Sequence, residues 1–247
     1  MDLDDLPVGR VLTRREALTL LGSTGTLLLL GSSSSSAGSP QAGRPRYPCV
    51  VRPASTPGPY YVDEKLHRAD IRSDPSDGTV KRGALLALTL NASSIAKGTC
   101  APLKGAIVDV WHCDAEGVYS DAVDPEYFNT TGKKFLRGYQ VTDQNGVAKF
   151  TTIYPGWYPQ RTPHIHYKIR SPASAPSPYE FTGQMYFDEG LSDRVYALSP
   201  YAGRGKRTVS NITDRIYNGD GGRQSMLTVT PAKDGYAAVF DVALDLG

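Results

Sequence analysis

The chain has 247 residues, with 27 Lys and Arg against 25 Asp and Glu, a formal net charge of +2. That balance leaves no basic footprint for nucleic acid. With 25 Gly and 18 Pro the composition argues against a helical protein and for short strands broken by turns.

In chain order, residues 1–38 carry an Arg14-Arg15 pair, a weakly apolar run to Leu30 and a Ser-rich exit. This is the pattern of a twin-arginine-type export signal, so the protein is expected to be exported, either secreted or held in the cell envelope. The apolar run is too short and too interrupted for a stable membrane span, which needs about 20 residues. Residues 39–48 read as a polar linker, and 49–247 as one folded domain large enough for a substantial core. Residues 52–61 hold three prolines and are expected to run as an irregular lead-in pressed against the domain.

Strands are expected over 84–90, 106–112, 138–142, 147–152, 164–170, 181–187, 226–230 and 235–242. Asn145-Gly146, between the third and fourth of these, is a hairpin signal. The helical candidate, 192–197, opens on Ser192 as an N-cap. The fold class that follows is all-β: a β-sandwich of mostly antiparallel strands, with long loops and little helix. Of three cysteines, Cys49 is expected to pair with Cys100 or Cys113. The stretch 100–113, if extended, would span roughly 40 Å, far beyond the Cα separation of about 5.5 Å that a disulfide allows.

The chemistry concentrates after Tyr154. His164 and His166 stand two apart in an alternating segment, so both imidazoles face one side of a strand. Tyr158 and Arg161 lie just upstream, after a proline-punctuated loop. Residue types and spacing point to a metal centre of imidazole and phenolate oxygen, with Tyr154 a rival to Tyr158. His112 is expected to be structural, and His67 solvated.

Four segments, in order, carry a more specific signal. They are Thr-x-Gly-Pro-Tyr-Tyr from Thr56, Val-x-Val-Trp-x5-Gly-x-Tyr from Val108, Arg-Gly-x-Gln-x-Thr-Asp-x-x-Gly from Arg137, and Pro-x-x-Tyr-Pro-x-Arg-x-x-His-x-His from Pro155. Together they resemble the intradiol ring-cleaving dioxygenases, which act on catechol, protocatechuate or hydroxyquinol, over roughly residues 50–245. The resemblance implies a non-haem Fe(III) held by Tyr119, Tyr158, His164 and His166. It implies Arg161, Tyr158 and Gln184 as catalytic residues, and Thr56, Gly58, Pro59 and Tyr60 as the substrate-lining segment. The partners it implies are a small catecholic substrate and O2, with cleavage between the hydroxylated carbons to a cis,cis-muconate-type diacid; a homo-oligomer stays open. The donor set suits a hard ferric ion, and a phenol with a pKa near 10 needs a strong local cation to bind as tyrosinate. Two alternatives stand beside this reading. One is a zinc-dependent hydrolase using His164, His166 and a carboxylate; the other is a non-catalytic β-sandwich binding module.

Overall fold

The computed structural model describes residues 49–247, so the expected export signal and linker lie outside the described residues. Eleven strands follow in order: β1 (Leu85–Ala96), β2 (Thr99–Pro102), β3 (Ile107–Trp111), β4 (Val123–Asp124), β5 (Phe128–Asn129), β6 (Arg137–Val141), β7 (Val147–Ile153), β8 (His164–Arg170), β9 (Glu180–Tyr186), β10 (Thr228–Ala232) and β11 (Gly235–Asp245). Two short helices, α1 (Glu189–Tyr196) and α2 (Arg215–Gly219), lie between β9 and β10.

Two sheets face each other, as an all-β sandwich requires. One runs β10-β11-β1-β2 with β7 also on β1, and the other runs β6-β3-β8-β9. All pairings are antiparallel except β1 with β11. Alternation builds the core. Leu86, Leu88 and Leu90 of β1 share one buried cluster with Val108 and Val110 of β3 and Ile165, Tyr167 and Ile169 of β8. Each such side chain contributes about 1.5–3 kcal/mol by leaving water. Gly183 of β9 sits in register with Tyr167, whose ring runs across it; a Cβ there would come within 2.5 Å of the phenol oxygen.

Several sequence expectations need correction. The Asn145-Gly146 turn does not close a hairpin, because β6 joins β3 while β7 joins β1. The turn instead carries the chain from one sheet to the other. Its Gly146 carbonyl accepts the Ala92 amide of β1 (2.8 Å), and Asp143 Oδ1 accepts the Asn145 and Val147 amides. Helix α1 starts earlier than expected: Asp188 is its N-cap, accepting from Leu191 N, and Ser192 lies inside the helix, donating to the Asp188 carbonyl. Strands β2, β4 and β5 and helix α2 had no clear sequence signal. The 226–230 strand is shifted to Thr228–Ala232.

Cys49 pairs with Cys100, and Cys113 is a buried free thiol. The bond ties the start of the described chain to β2, and Val51 then bridges to Ala243 of β11. His112, just past β3, crosses between the sheets: Nε2 meets Thr152 Oγ1 of β7 at 2.7 Å, and Nδ1 meets the Cys113 carbonyl at 2.8 Å. Burial pushes its pKa down to about 4, so it is neutral in the fold.

Two outcomes are expected. The disulfide closes a separation of 51 residues, which by chain entropy is worth roughly 4 kcal/mol. A Cys49→Ser/Cys100→Ser protein should therefore lose up to about that much in urea unfolding. The unfolded chain takes up a proton on His112 below about pH 6.5 while the folded chain does not until about pH 4. Stability should thus fall with falling pH through that window. His112→Asn should flatten the slope by about 1.4 kcal/mol per pH unit relative to the parent, read from unfolding curves at stepped pH.

Candidate metal centre and its cavity

The site sits on the side of the β6-β3-β8-β9 sheet that faces away from the core. On β8, Ile165, Tyr167 and Ile169 point inward, which turns His164 and His166 outward. Register then assembles their neighbours. Trp111 of β3 is opposite His166, Gln184 of β9 is opposite His166 on the other side, and Tyr186 is opposite His164. The Trp111 indole lies flat against the His166 ring, centroids 4.9 Å apart and planes 8° apart. Loops cover this face, so both histidines are buried.

Two loops add the phenols. The loop after β3 brings Tyr119, fully buried, and the loop before β8 brings Tyr158. Their close packing depends on Gly117. Its φ is +82°, and a Cβ there would stand 2.3 Å from the Trp157 carbonyl, to which Arg204 also donates. The Tyr119 and Tyr158 rings meet edge to face at 5.6 Å, and Tyr119 lies 6.2 Å from the His166 ring. Tyr158 OH is 3.2 Å from His164 Nε2, and the two Nε2 atoms are 3.0 Å apart.

These donors fit a shared metal ion. His164 Nδ1 faces the Thr162 carbonyl at 2.7 Å, so it carries the proton and leaves Nε2 a free lone pair. Burial, then Arg161, holds both imidazoles well below their ordinary pKa, in the neutral form that ligates. The Tyr119 hydroxyl is buried beside Tyr158 without a hydrogen bond of ordinary geometry. A buried hydroxyl with only a poorly aligned neighbour gains from a further partner. Two donors about 2.0–2.1 Å from one ion, at right to tetrahedral angles, stand roughly 2.8–3.4 Å apart, a range that holds both the 3.0 Å and the 3.2 Å spacings seen here. Burial pushes both phenols up, well above the ordinary value for Tyr119, while Arg161 pulls Tyr158 down. Deprotonation there needs a further cation. Among the described residues, no group of three or more His, Cys, Asp and Glu side chains gathers as a metal site. The carboxylate that a zinc hydrolase needs does not join His164 and His166.

Arg161 is the charge of the site. Nε donates to Asp214 Oδ2 (2.9 Å) and Nη2 to Gln184 Oε1 (2.6 Å). Nη1 faces Tyr158 OH at 3.5 Å and His164 Nε2 at 3.4 Å. Burial works against its charge, but Tyr158, Tyr186 and Asp214 hold the guanidinium protonated. Gln184 is held in turn: Nε2 donates to the Thr56 carbonyl (3.0 Å), and Oε1 accepts from Tyr186 OH (2.9 Å).

Above this floor opens a cavity of about 740 Å³, lined by Thr56, Gly58, Pro59, Tyr60, Tyr158 and Arg161 among others. Gly58 is seated over His166, where a Cβ would be 3.3 Å from the imidazole. Tyr60 packs on Tyr119 with ring centroids 4.7 Å apart and planes tilted by 31°, and donates to Asp124 Oδ2. The structure thus brings together Tyr119, Tyr158, His164, His166, Arg161 and Gln184 beneath the segment Thr56, Gly58, Pro59 and Tyr60. Tyr154 is excluded: it lies in the core, bonded to Ser192. His112 serves the inter-sheet link, and His67 is exposed, stacked on Tyr139. Sequence reading missed Tyr186 and Asp214. Tyr186 was legible in principle, two residues past Gln184 on one strand face; Asp214 lies 53 residues from Arg161, with no local pattern linking them.

Comparison with known proteins agrees with this geometry. A dioxygenase family model matches residues 56–202. An intradiol ring-cleavage dioxygenase from Tetranychus urticae superposes with a TM-score of 0.69 at 33% identity, covering 80% of this chain and 95% of that one. The dioxygenase domain of a dioxygenase–carbohydrate-binding fusion from Streptomyces sp. SirexAA-E gives a TM-score of 0.55 at 27% identity, covering 80% and 99%. In sequence, the beta chain of protocatechuate 3,4-dioxygenase from Burkholderia cepacia is 30% identical over 51% of this chain and 56% of its own length. Chlorocatechol 1,2-dioxygenase from Pseudomonas putida is 29% identical over 36% of this chain and 37% of its own length. The chain thus matches between about two-fifths and just over half of these curated relatives. The matched family model, the fold and the four ordered segments lead to one assignment: this chain belongs to the intradiol ring-cleavage dioxygenase family.

Proposed function

We propose that the chain is a non-haem Fe(III) intradiol dioxygenase. It would open a catecholic ring between its two hydroxylated carbons, placing both atoms of O2 in a cis,cis-muconate-type diacid. The observation that carries this reading is the convergence of two imidazoles and two phenols under a cavity whose floor also presents Arg161. Tyr119, Tyr158, His164 and His166 would hold the ion. When bound, ferric iron supplies the positive charge that makes the phenols tyrosinates and the electron-withdrawing power that opens a catecholate to O2.

The rest is work for the chain. Tyr158 lines the cavity, whereas Tyr119 is fully buried beneath the Tyr60 ring, so Tyr158 is the phenol that an entering catechol meets. Its phenolate oxygen takes a substrate proton as the catechol docks, acting as a general base. Arg161 Nη1 points at that oxygen and stabilises negative charge building on the ring, a permanent cation aimed where charge develops. Gln184 braces Arg161 and, through the Thr56 carbonyl, ties it to the substrate wall. Gly58, Pro59 and Tyr60 pack against the substrate ring and exclude water.

A zinc hydrolase is disfavoured because Asp214, the carboxylate bonded to Arg161, is engaged by that guanidinium and two amides rather than by the imidazoles. A pure binding module leaves the convergence of two imidazoles and two phenols without a role. Export is proposed on the Arg14-Arg15 segment and is supported by the Cys49–Cys100 disulfide, a bond that persists in oxidising compartments.

Oxygen uptake across a panel of catechols, with mass analysis of products, tests the reading. Ring-opened diacids carrying both oxygen atoms are expected; aldehyde products of cleavage outside the diol would sink it. Iron-loaded protein should be reddish from tyrosinate-to-iron charge transfer. Tyr158→Phe should shift that band and slow turnover on the order of 10²-fold; an unshifted band would remove Tyr158 from the metal.

A further inference from the structure

Asp214 is a carboxylate wholly removed from solvent, 53 residues along the chain from the arginine it meets. Its two oxygens are both engaged. Oδ2 accepts Arg161 Nε (2.9 Å) and the Thr162 amide (2.8 Å), while Oδ1 accepts the Tyr217 amide (2.9 Å) as the N-cap of α2. A carboxylate spent only on capping would need one of these contacts. The others go to the segment between Tyr158 and His164.

A guanidinium is planar and rigid, so fixing two of its edges fixes the third. Asp214 holds Nε and Gln184 holds Nη2, and their joint effect is to set Nη1 against the Tyr158 oxygen and His164 Nε2. Gln184 alone would leave a pivot. The residues flanking Asp214, Thr213 and Arg215, line the cavity. The same short segment therefore walls the substrate and aims the cation. Its far end is tied separately, where Ser55 Oγ donates to Asp220 Oδ2 at 2.7 Å.

We infer that Asp214 is the positioning residue of this site: it aims Arg161 Nη1 at the phenol oxygen and registers the 209–216 wall of the cavity on the reacting end. The inference rests on the dioxygenase reading above. Asp214 touches no substrate; it acts through Arg161. Its carboxylate also balances the guanidinium, so the cation is held by an ion pair on its outer edge and faces the site with the opposite one.

The test compares Asp214→Asn, Asp214→Glu and Asp220→Asn in iron-loaded full-length protein. Asparagine keeps the cap but loses the charge that grips Nε. Its kcat should fall on the order of 10²-fold, as small misplacements at a reacting centre do, with KM within threefold of the parent. Iron per chain and the charge-transfer band should match the parent, since no ligand is touched. Asp214→Glu, with the charge kept, should recover at least a tenth of the parent kcat. Asp220→Asn, which loosens the wall without touching Arg161, should raise KM and leave kcat within threefold. An unchanged kcat in Asp214→Asn would overturn the inference, as would a loss that tracks lost iron or an equal kcat loss in Asp220→Asn. Parent protein that cleaved no catechol would instead sink the dioxygenase reading. The aiming role would then be read from a crystal structure of Asp214→Asn: Nη1 displaced from Tyr158 and His164 is expected, and an unmoved guanidinium would refute it.

Discussion

A charged guanidinium on the floor of a cavity, 3.5 Å from a phenol and 3.4 Å from a buried imidazole, sets the terms for what surrounds it. At such range and low dielectric, electrostatic energies are several-fold larger than in water. Burial, and then this cation, keeps the imidazoles neutral, and the charge requires an internal counter-ion, which Asp214 supplies. Gln184 and Tyr186 extend the same network across β9, and the Thr56 carbonyl closes it on the lead-in segment. The cavity walls are therefore arranged around one cation, and a change in any of these partners alters the electrostatics at the phenol oxygen.

How much of this was legible in the sequence depends on how local the determinant is. The His-x-His strand was read with its observed bounds, 164–170, because alternation under a buried sheet is a purely local rule. The four ordered segments contain the two phenols and two imidazoles that the structure gathers, because each segment carries its own local pattern of glycine, proline or strand alternation. The Asn-Gly turn misled because its local geometry is compatible with either a hairpin or a crossing between sheets. The long-range pairings of β6 with β3 and β7 with β1 decide for the crossing. Ser192 lost the cap to Asp188 because α1 begins where β9 ends, four residues earlier than helix propensity suggested.

The residues that escaped notice share a cause. Asp214 and Asp220 act across more than 50 residues of chain, on Arg161 and Ser55. Neither lies near an apolar period or a metal-ligand spacing. The disulfide was half legible: distance along an extended chain argued against a Cys100–Cys113 bond, but the choice of Cys100 for Cys49 waits on β2 pairing with β1 at Ile95–Cys100.

Alternation along β8 divides its residues between two surroundings. Ile165, Tyr167 and Ile169 pack into the sandwich, while their immediate neighbours His164 and His166 face the covering loops. The surfaces that meet an incoming molecule come from irregular segments, including the lead-in, the turn around Tyr127 and the stretch through Ile216, which owe little to the interior. Residues of those loops can therefore be exchanged without disturbing the interior packing of the two sheets.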